Sequence, residues 1–274
     1  MDINTLANAI HLDPNTIAAV EGLSLPAKEE SQLLELYFQD FPLFLKTVEV
    51  QADPQLLMLR LYLQLALNTR MLYLQRGLPE AVWLDSMQDI AVWAADYRAK
   101  YGKYGIAAWE WLTCSLNMEI FRLGRLQFEP YKLPADVQMG ELSFPAGTEV
   151  LSVHIPAGTP LTATAVLDSL KQAPTFFTSY FGKDYTLYYC HSWLLSPALS
   201  QLLPPDSSIM QFQQLFHIYS TDASPQSEQR VFGCVCENPA DYPQNTSLQQ
   251  RMRQYLMDGN TVPSGRGIGL FEKL

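Results

Sequence analysis

The chain has 274 residues, 48% of them hydrophobic and 17% charged, so it can bury a sizeable core and is not disordered overall. Its formal net charge of −10 is spread along the chain. That argues against a protein built to grip nucleic-acid backbones, which needs clustered Lys and Arg, and gives solubility rather than a partner.

The first 120 residues punctuate like a helical bundle. Asp13-Pro14 and Asp53-Pro54 each read as an N-cap followed by proline at the first helical position. Apolar residues recur at helical spacing after each, which places helices near 14–21, 30–46, 54–76, 80–100 and 105–120. Pro42 should kink or split the second, and Gly77 with Pro79 should end the third. Trp83, Trp93, Trp109 and Trp111 fall in this region and read as core aromatics. The most apolar stretch, Leu56 to Leu74, is interrupted by Arg60, Gln64, Asn68 and Arg70 at near-helical spacing, so it reads as an amphipathic core helix rather than a membrane span.

The pattern changes near Phe121. Arg125, Gln127 and Glu129 alternate with Leu126 and Phe128, which suits a strand. Leu133 to Gly147 reads as mostly connection, Val150 to Ile155 as a strand, and Thr162 to Phe177 as a helix capped by Thr162. Tyr185 to His191 reads as a strand, and Ser196-Pro197 opens a short helix that ends before Pro204. Ser208 to Tyr219 and Arg230 to Cys236 are expected as strands joined by a polar loop over 220–229. Thr246 to Asp258 is a helix ended by Gly259, and Ile268 to Phe271 could add a strand. The fold expected is α+β: an all-helical domain over 1–121, then a mixed α/β domain over 122–274.

Four cysteines occur, Cys114, Cys190, Cys234 and Cys236, without the paired C-x2-C spacing of a metal site. The start carries no basic region and no long apolar run, so reduced thiols in a cytoplasm are expected. Cys234 and Cys236 share a face of the expected strand and read as buried thiols, with no metal.

His154 and His191 stand at the ends of two expected strands, where α/β sheets commonly carry ligand sites. Either could act as general base near neutral pH or simply shape a turn. Cys190-His191-Ser192 invites a nucleophile reading, but strand neighbours point to opposite faces, so His191 cannot easily activate Cys190 or Ser192. The junction Pro156-Ala157-Gly158-Thr159-Pro160-Leu161-Thr162 leads into a helix whose first N–H groups could cradle a phosphate. Gly265-Arg266-Gly267-Ile268-Gly269 is a second glycine-rich candidate and reads as a flexible tail.

The stretches Arg122 to Glu129, Val153-His154-Ile155-Pro156 with Gly158 and Pro160-Leu161, Cys190-His191-Ser192-Trp193-Leu194-Leu195, and Thr246-Ser247-Leu248-Gln249 resemble bacterial proteins called acyltransferase domain-containing. These pair a helical N-acyltransferase N-terminal domain with a GNAT-like C-terminal domain. The resemblance implies an N-acyltransferase that moves an acyl group from acyl-coenzyme A, as co-substrate, to a small amine. Two strands would splay to admit the acyl-coenzyme A. His191, His154 and Glu129 would be candidate bases, with Cys190 and Ser192 also candidate catalytic residues. Gly158, Thr159, Leu161 and Thr162 would lie at the phosphate. It implies a small-molecule substrate and neither nucleic acid nor membrane. GNAT enzymes usually carry Gln/Arg-x-x-Gly-x-Gly/Ala at the pyrophosphate turn, whereas here Pro156 and Pro160 flank a single Gly158, and proline has no N–H to offer. The alternative is therefore a non-catalytic ligand- or partner-binding protein on a degenerate GNAT scaffold.

Overall fold

Aspartate caps start the helices that the Asp-Pro pairs mark. Asp13 accepts from the Thr16 N–H at 2.9 Å and Asp53 from the Leu56 N–H at 3.4 Å, and each following proline occupies the first turn. A computed structural model describes all residues, Met1 to Leu274. They divide into one unit of Met1–Leu123 with Pro156–Gly158, and a second of Gly124–Ile155 with Thr159–Leu274.

The first unit carries α1 (Ile3–Ala9), α2 (Pro14–Gly22), α3 (Ala27–Gln39), α4 (Phe41–Glu49), α5 (Pro54–Gln75), α6 (Glu80–Tyr101), α7 (Trp109–Leu116) and a short strand, β1 (Phe121–Leu123). The single helix expected over 30–46 is two. The break falls at Asp40, which caps α4 by accepting from the Leu43 N–H at 2.9 Å, with Pro42 in the first turn. The helix expected over 105–120 is shorter, and α1 is an addition. Helix α5 is the axis of the core. Leu59, Leu61 and Leu63 are fully buried, each contributing roughly 2 kcal/mol of apolar burial. Trp83 of α6 is fully buried and donates its indole N–H to the Ala66 carbonyl at 3.1 Å, so its one polar atom is satisfied. No helix is long and apolar enough to cross a membrane.

The second unit carries β2 (Leu126–Lys132), β3 (Val137–Met139), β4 (Leu142–Phe144), β5 (Glu149–His154), α8 (Ala163–Phe181), β6 (Leu187–Ser192), α9 (Leu199–Leu202), α10 (Ser208–Gln213), β7 (His217–Asp222), α11 (Gln226–Phe232), α12 (Ser247–Met257) and β8 (Ser264–Leu270). Its sheet runs β2-β5-β6-β8-β7. β5 and β6 are parallel, and the other pairs are antiparallel. The architecture is therefore a helical front followed by a mixed sheet with helices.

Four expectations fail locally. Leu133 to Gly147 is not mostly connection, because β3 and β4 form a hairpin around Gly140. Val137 of that hairpin joins Val150, Leu187, Tyr189 and Ile268 in a buried cluster. Ser208 to Tyr219 is not one strand: Ser207 caps a single-turn-and-a-half helix, α10, before β7 begins at His217. Arg230 to Cys236 is not a strand either, because α11 occupies Gln226–Phe232 and ends on Gly233 at φ 78°. Gly265 to Gly269 is no tail but the middle of β8. Its alternate glycines have a steric reason. A Cβ on Gly265 would meet the Leu195 carbonyl oxygen at 2.2 Å, and one on Gly269 would meet the Tyr188 ring at 2.1 Å.

Candidate active site

Register decides which side chains share a face, because residues opposite one another across a ladder point the same way. Gln127 lies opposite His154 and Glu129 opposite Ser152. Ser152 lies opposite Tyr189, and on β8 Tyr189 faces Ile268 while His191 faces Arg266. One face of the sheet thus carries Gln127, Glu129, Ser152, His154, Tyr189, His191 and Arg266. Its lower part is apolar and built on Val150, Leu187, Tyr189, Ile268 and Leu270, against which β3 and β4 pack. Its upper part is polar and includes both histidines.

β5 and β6 share only two rungs, Leu151 with Tyr188 and Ser152 with Tyr189. β5 continues to His154 and β6 to Ser192, and no rung joins the strands beyond Ser152 and Tyr189. The two histidines stand on the same face beyond this last rung, one on each strand.

Each histidine is backed by a carboxylate. His154 Nε2 lies 2.9 Å from Glu129 Oε2 and 3.2 Å from Ser152 Oγ. His191 Nε2 lies 2.8 Å from Asp222 Oδ1, and the Arg266 guanidinium approaches the same oxygen at 3.4 Å. An ionised carboxylate can only accept, so against it Nε2 of His191 is the donor, and in the neutral ring this contact favours the lone pair on Nδ1. The side chains of His191 and Asp222 are each about one-third exposed, at 37% and 34%. The dyad therefore touches solvent and is open to a ligand.

The other candidates fall on the opposite face. Cys190 is fully buried, and burial pushes its thiol far up, so it stays protonated. Ser192 is buried and caps the following turn by accepting from the Leu194 N–H at 3.2 Å. Tyr188, also on that face, donates to the Leu215 carbonyl at 2.7 Å, and burial raises its hydroxyl to about 12. Neither His191 nor His154 shares a face with these groups.

Helix α8 begins nine residues after His154. Thr162 accepts from the Ala165 N–H at 3.4 Å, and the first intrahelical bond runs from Val166 N–H to the Thr162 carbonyl at 3.0 Å. The N–H groups of Ala163 and Thr164 precede that bond, at the positive end of a 19-residue helix. Pro156 and Pro160 lie before the cap, so the missing proline N–H groups are not those of the helix start. Gly158 stands at φ 95° and groups with the first unit, whereas Thr159, Leu161 and Thr162 belong to the second. Leu161 packs beside Val166, Phe212 and Leu215 in a small apolar cleft between α8 and α10.

Asp222, Arg266 and Ser152 escape sequence reasoning. Asp222 falls in the segment expected as a polar loop and Arg266 in the expected tail. Only the strand pairing brings them to His191. No cluster of three or more metal-ligating side chains is present.

Comparison with known proteins bears on this arrangement. The family described as GNAT-like C-terminal domain matches residues 120–269, and the N-acyltransferase N-terminal domain matches residues 1–118. A solved acyltransferase in complex with decanoyl-CoA and teicoplanin is 22% identical, with a TM-score of 0.70 over 99% of this chain and 100% of that one. An acyltransferase in complex with CoA and 10C-teicoplanin gives the same values. An acyltransferase mutant in complex with octanoyl-CoA is also 22% identical, with a TM-score of 0.70 over 98% of this chain and 99% of that one. At that identity the likeness establishes the fold. Comparison with curated protein sequences gives no match.

Proposed function

The chain belongs to the family of the GNAT-like C-terminal domain, and from that premise we propose that it is an N-acyltransferase that moves an acyl group from acyl-coenzyme A to a small amine, with His191 as general base. The observation that carries this reading is that both histidine–carboxylate pairs stand on one face of the sheet, beyond the last rung that joins β5 to β6, where the two strands of a GNAT-like sheet would splay to admit the donor. The acyl-coenzyme A complexes of the structural neighbours support the donor class.

The residues present fit such a donor at one point: the N–H groups of Ala163 and Thr164 are available to phosphate oxygens at the start of α8. Bound there, the thioester supplies an activated acyl carbon and a thiolate leaving group. The chain's own residues do the rest. Asp222 holds His191 in the tautomer that leaves Nδ1 basic. His191 Nδ1 takes the proton that the amine sheds as its nitrogen bonds to the acyl carbon and the carbon–sulfur bond breaks. A backbone N–H on the β6-facing edge of β5 polarises the carbonyl. His154, tied to Glu129, is the second basic group on the face and orients the amine.

The test is direct. The protein is mixed with acyl-coenzyme A of several chain lengths and a panel of primary amines, and free thiol and acylated amine are both measured. Thiol release matched by amide product supports the reading. Thiol release without amide, or neither across the panel, overturns it.

A further inference from the structure

Cys234 and Cys236 are read from the sequence as buried thiols on a strand, and the structure places them otherwise. Gly233 ends α11 in the left-handed region, and the chain bends at once into Cys234-Val235-Cys236. On an extended strand the Cα atoms of residues two apart are roughly 6.6 Å apart, near the upper limit for a disulfide. Here the turn brings the two sulfur atoms to 3.8 Å of one another.

The two thiols are unequal. Cys234 is exposed, while Cys236 is half-buried against the cluster of Phe232, Tyr242 and Met252. Cys236 is also held by its backbone, because its N–H donates to the Tyr242 hydroxyl at 3.0 Å and Tyr242 stacks on Phe232 at 4.1 Å. Burial, then the hydrogen bond to Cys234, raise the Cys236 thiol above its ordinary range. An exposed sulfur thus stands in contact with one whose backbone and packing position it. No third metal-ligating side chain completes a metal site.

We propose that Cys234 and Cys236 form a dithiol site that exchanges with low-molecular-weight disulfides. The Cys234 thiolate attacks one sulfur of the disulfide RSSR, forming a mixed disulfide and releasing RS⁻. The Cys236 thiol then loses its proton and its sulfur attacks Cys234 Sγ. The bond to the R group breaks, a second RS⁻ leaves, and Cys234 and Cys236 are joined. In sum two protein thiols are oxidised, one RSSR is reduced, and two RSH form. The sulfurs must close from 3.8 Å to about 2.05 Å, which side-chain rotation at exposed Cys234 supplies. The small ring formed is strained, so excess thiol reopens it readily.

The experiment treats the intact protein with excess oxidised glutathione, quenches by alkylation, and maps the cysteine peptides by mass spectrometry. In the wild-type protein the Cys234–Cys236 peptide is expected to lose two hydrogens and to carry no lasting glutathione. Dithiothreitol should restore both alkylation sites, with fully buried Cys190 as the unreacted reference. Cys236→Ser should trap glutathione on Cys234. A glutathione adduct that persists on wild-type Cys234, or two thiols that stay fully alkylatable after treatment, would overturn the proposal. The wild-type result decides alone if the variant does not fold.

Discussion

Ala163→Pro removes one backbone N–H from the start of α8 and little else. Thr162 sits at φ −77°, ψ 144°, the extended region that a residue before proline needs. The Ala163 N–H has no place in the intrahelical ladder, which opens with Val166 N–H to the Thr162 carbonyl, and proline is welcome at the first helical position. Helix α8 should therefore persist. What is lost is one donor to a charged oxygen, a bond worth about 1.5–3 kcal/mol. Because the start of α8 is exposed, the lower figure applies, and about 1.5 kcal/mol is roughly a tenfold loss of affinity. Titration calorimetry with decanoyl-coenzyme A reads this, with circular dichroism to confirm the helix. An unchanged dissociation constant in a folded variant would refute the placement of phosphate at α8.

Three further outcomes follow from the same geometry. Asp222→Asn cannot fix the His191 tautomer, and with the pair one-third exposed the acyl-transfer kcat should fall by roughly ten- to thirtyfold, about 1.5–2 kcal/mol, with KM for acyl-coenzyme A unchanged; an unaltered kcat speaks against the dyad. Gly265→Ala drives a methyl group into the Leu195 carbonyl, so thermal unfolding should show a loss of about 3 kcal/mol, or roughly 5 °C in Tm; an equal Tm would contradict the packing of β8. Asp2 caps α1, and the Thr5 hydroxyl, then the Thr5 N–H, hold its carboxyl below its usual value. That cap strengthens α1 above the unfolded-state value and is lost as pH falls through the folded one, so amide exchange at Thr5 and Leu6 should quicken there; exchange flat in pH after correction for intrinsic rates would refute it.

Capping and period carried the sequence reading furthest where elements are long. Asp13-Pro14 and Asp53-Pro54 fix the starts of α2 and α5, and Gly259 marks the end of α12. Short elements defeated it. Helix α10 has six residues and α11 seven, too few for a helical period to outweigh the runs Ile209 to Ile218 and Val231 to Val235, which look extended. The glycines of β8 look like a loop because their cause, Leu195 and Tyr188 crossing close overhead, lies elsewhere in the chain.

The site was legible in the same partial way. His154 and His191 stand out as strand-end histidines, and Glu129 falls on the correct alternation to face His154. Asp222 could not be found, because its partnership with His191 depends on β8 lying between β6 and β7. The end of the β5–β6 ladder at Ser152 and Tyr189 is equally a property of pairing rather than of composition. The start of α8 as a phosphate cradle was read from the strand–helix junction itself, and the N–H groups it offers, on Ala163 and Thr164, lie past both prolines.

The role of His191 as general base is read most sharply in the kcat of His191→Gln, for acyl transfer from decanoyl-coenzyme A to whichever amine the wild-type protein acylates. Glutamine keeps a donor near Asp222 but has no basic nitrogen. If His191 is the base, kcat falls by about a hundredfold or more while the affinity for decanoyl-coenzyme A is unchanged. A kcat within twofold or so of wild type would contradict it.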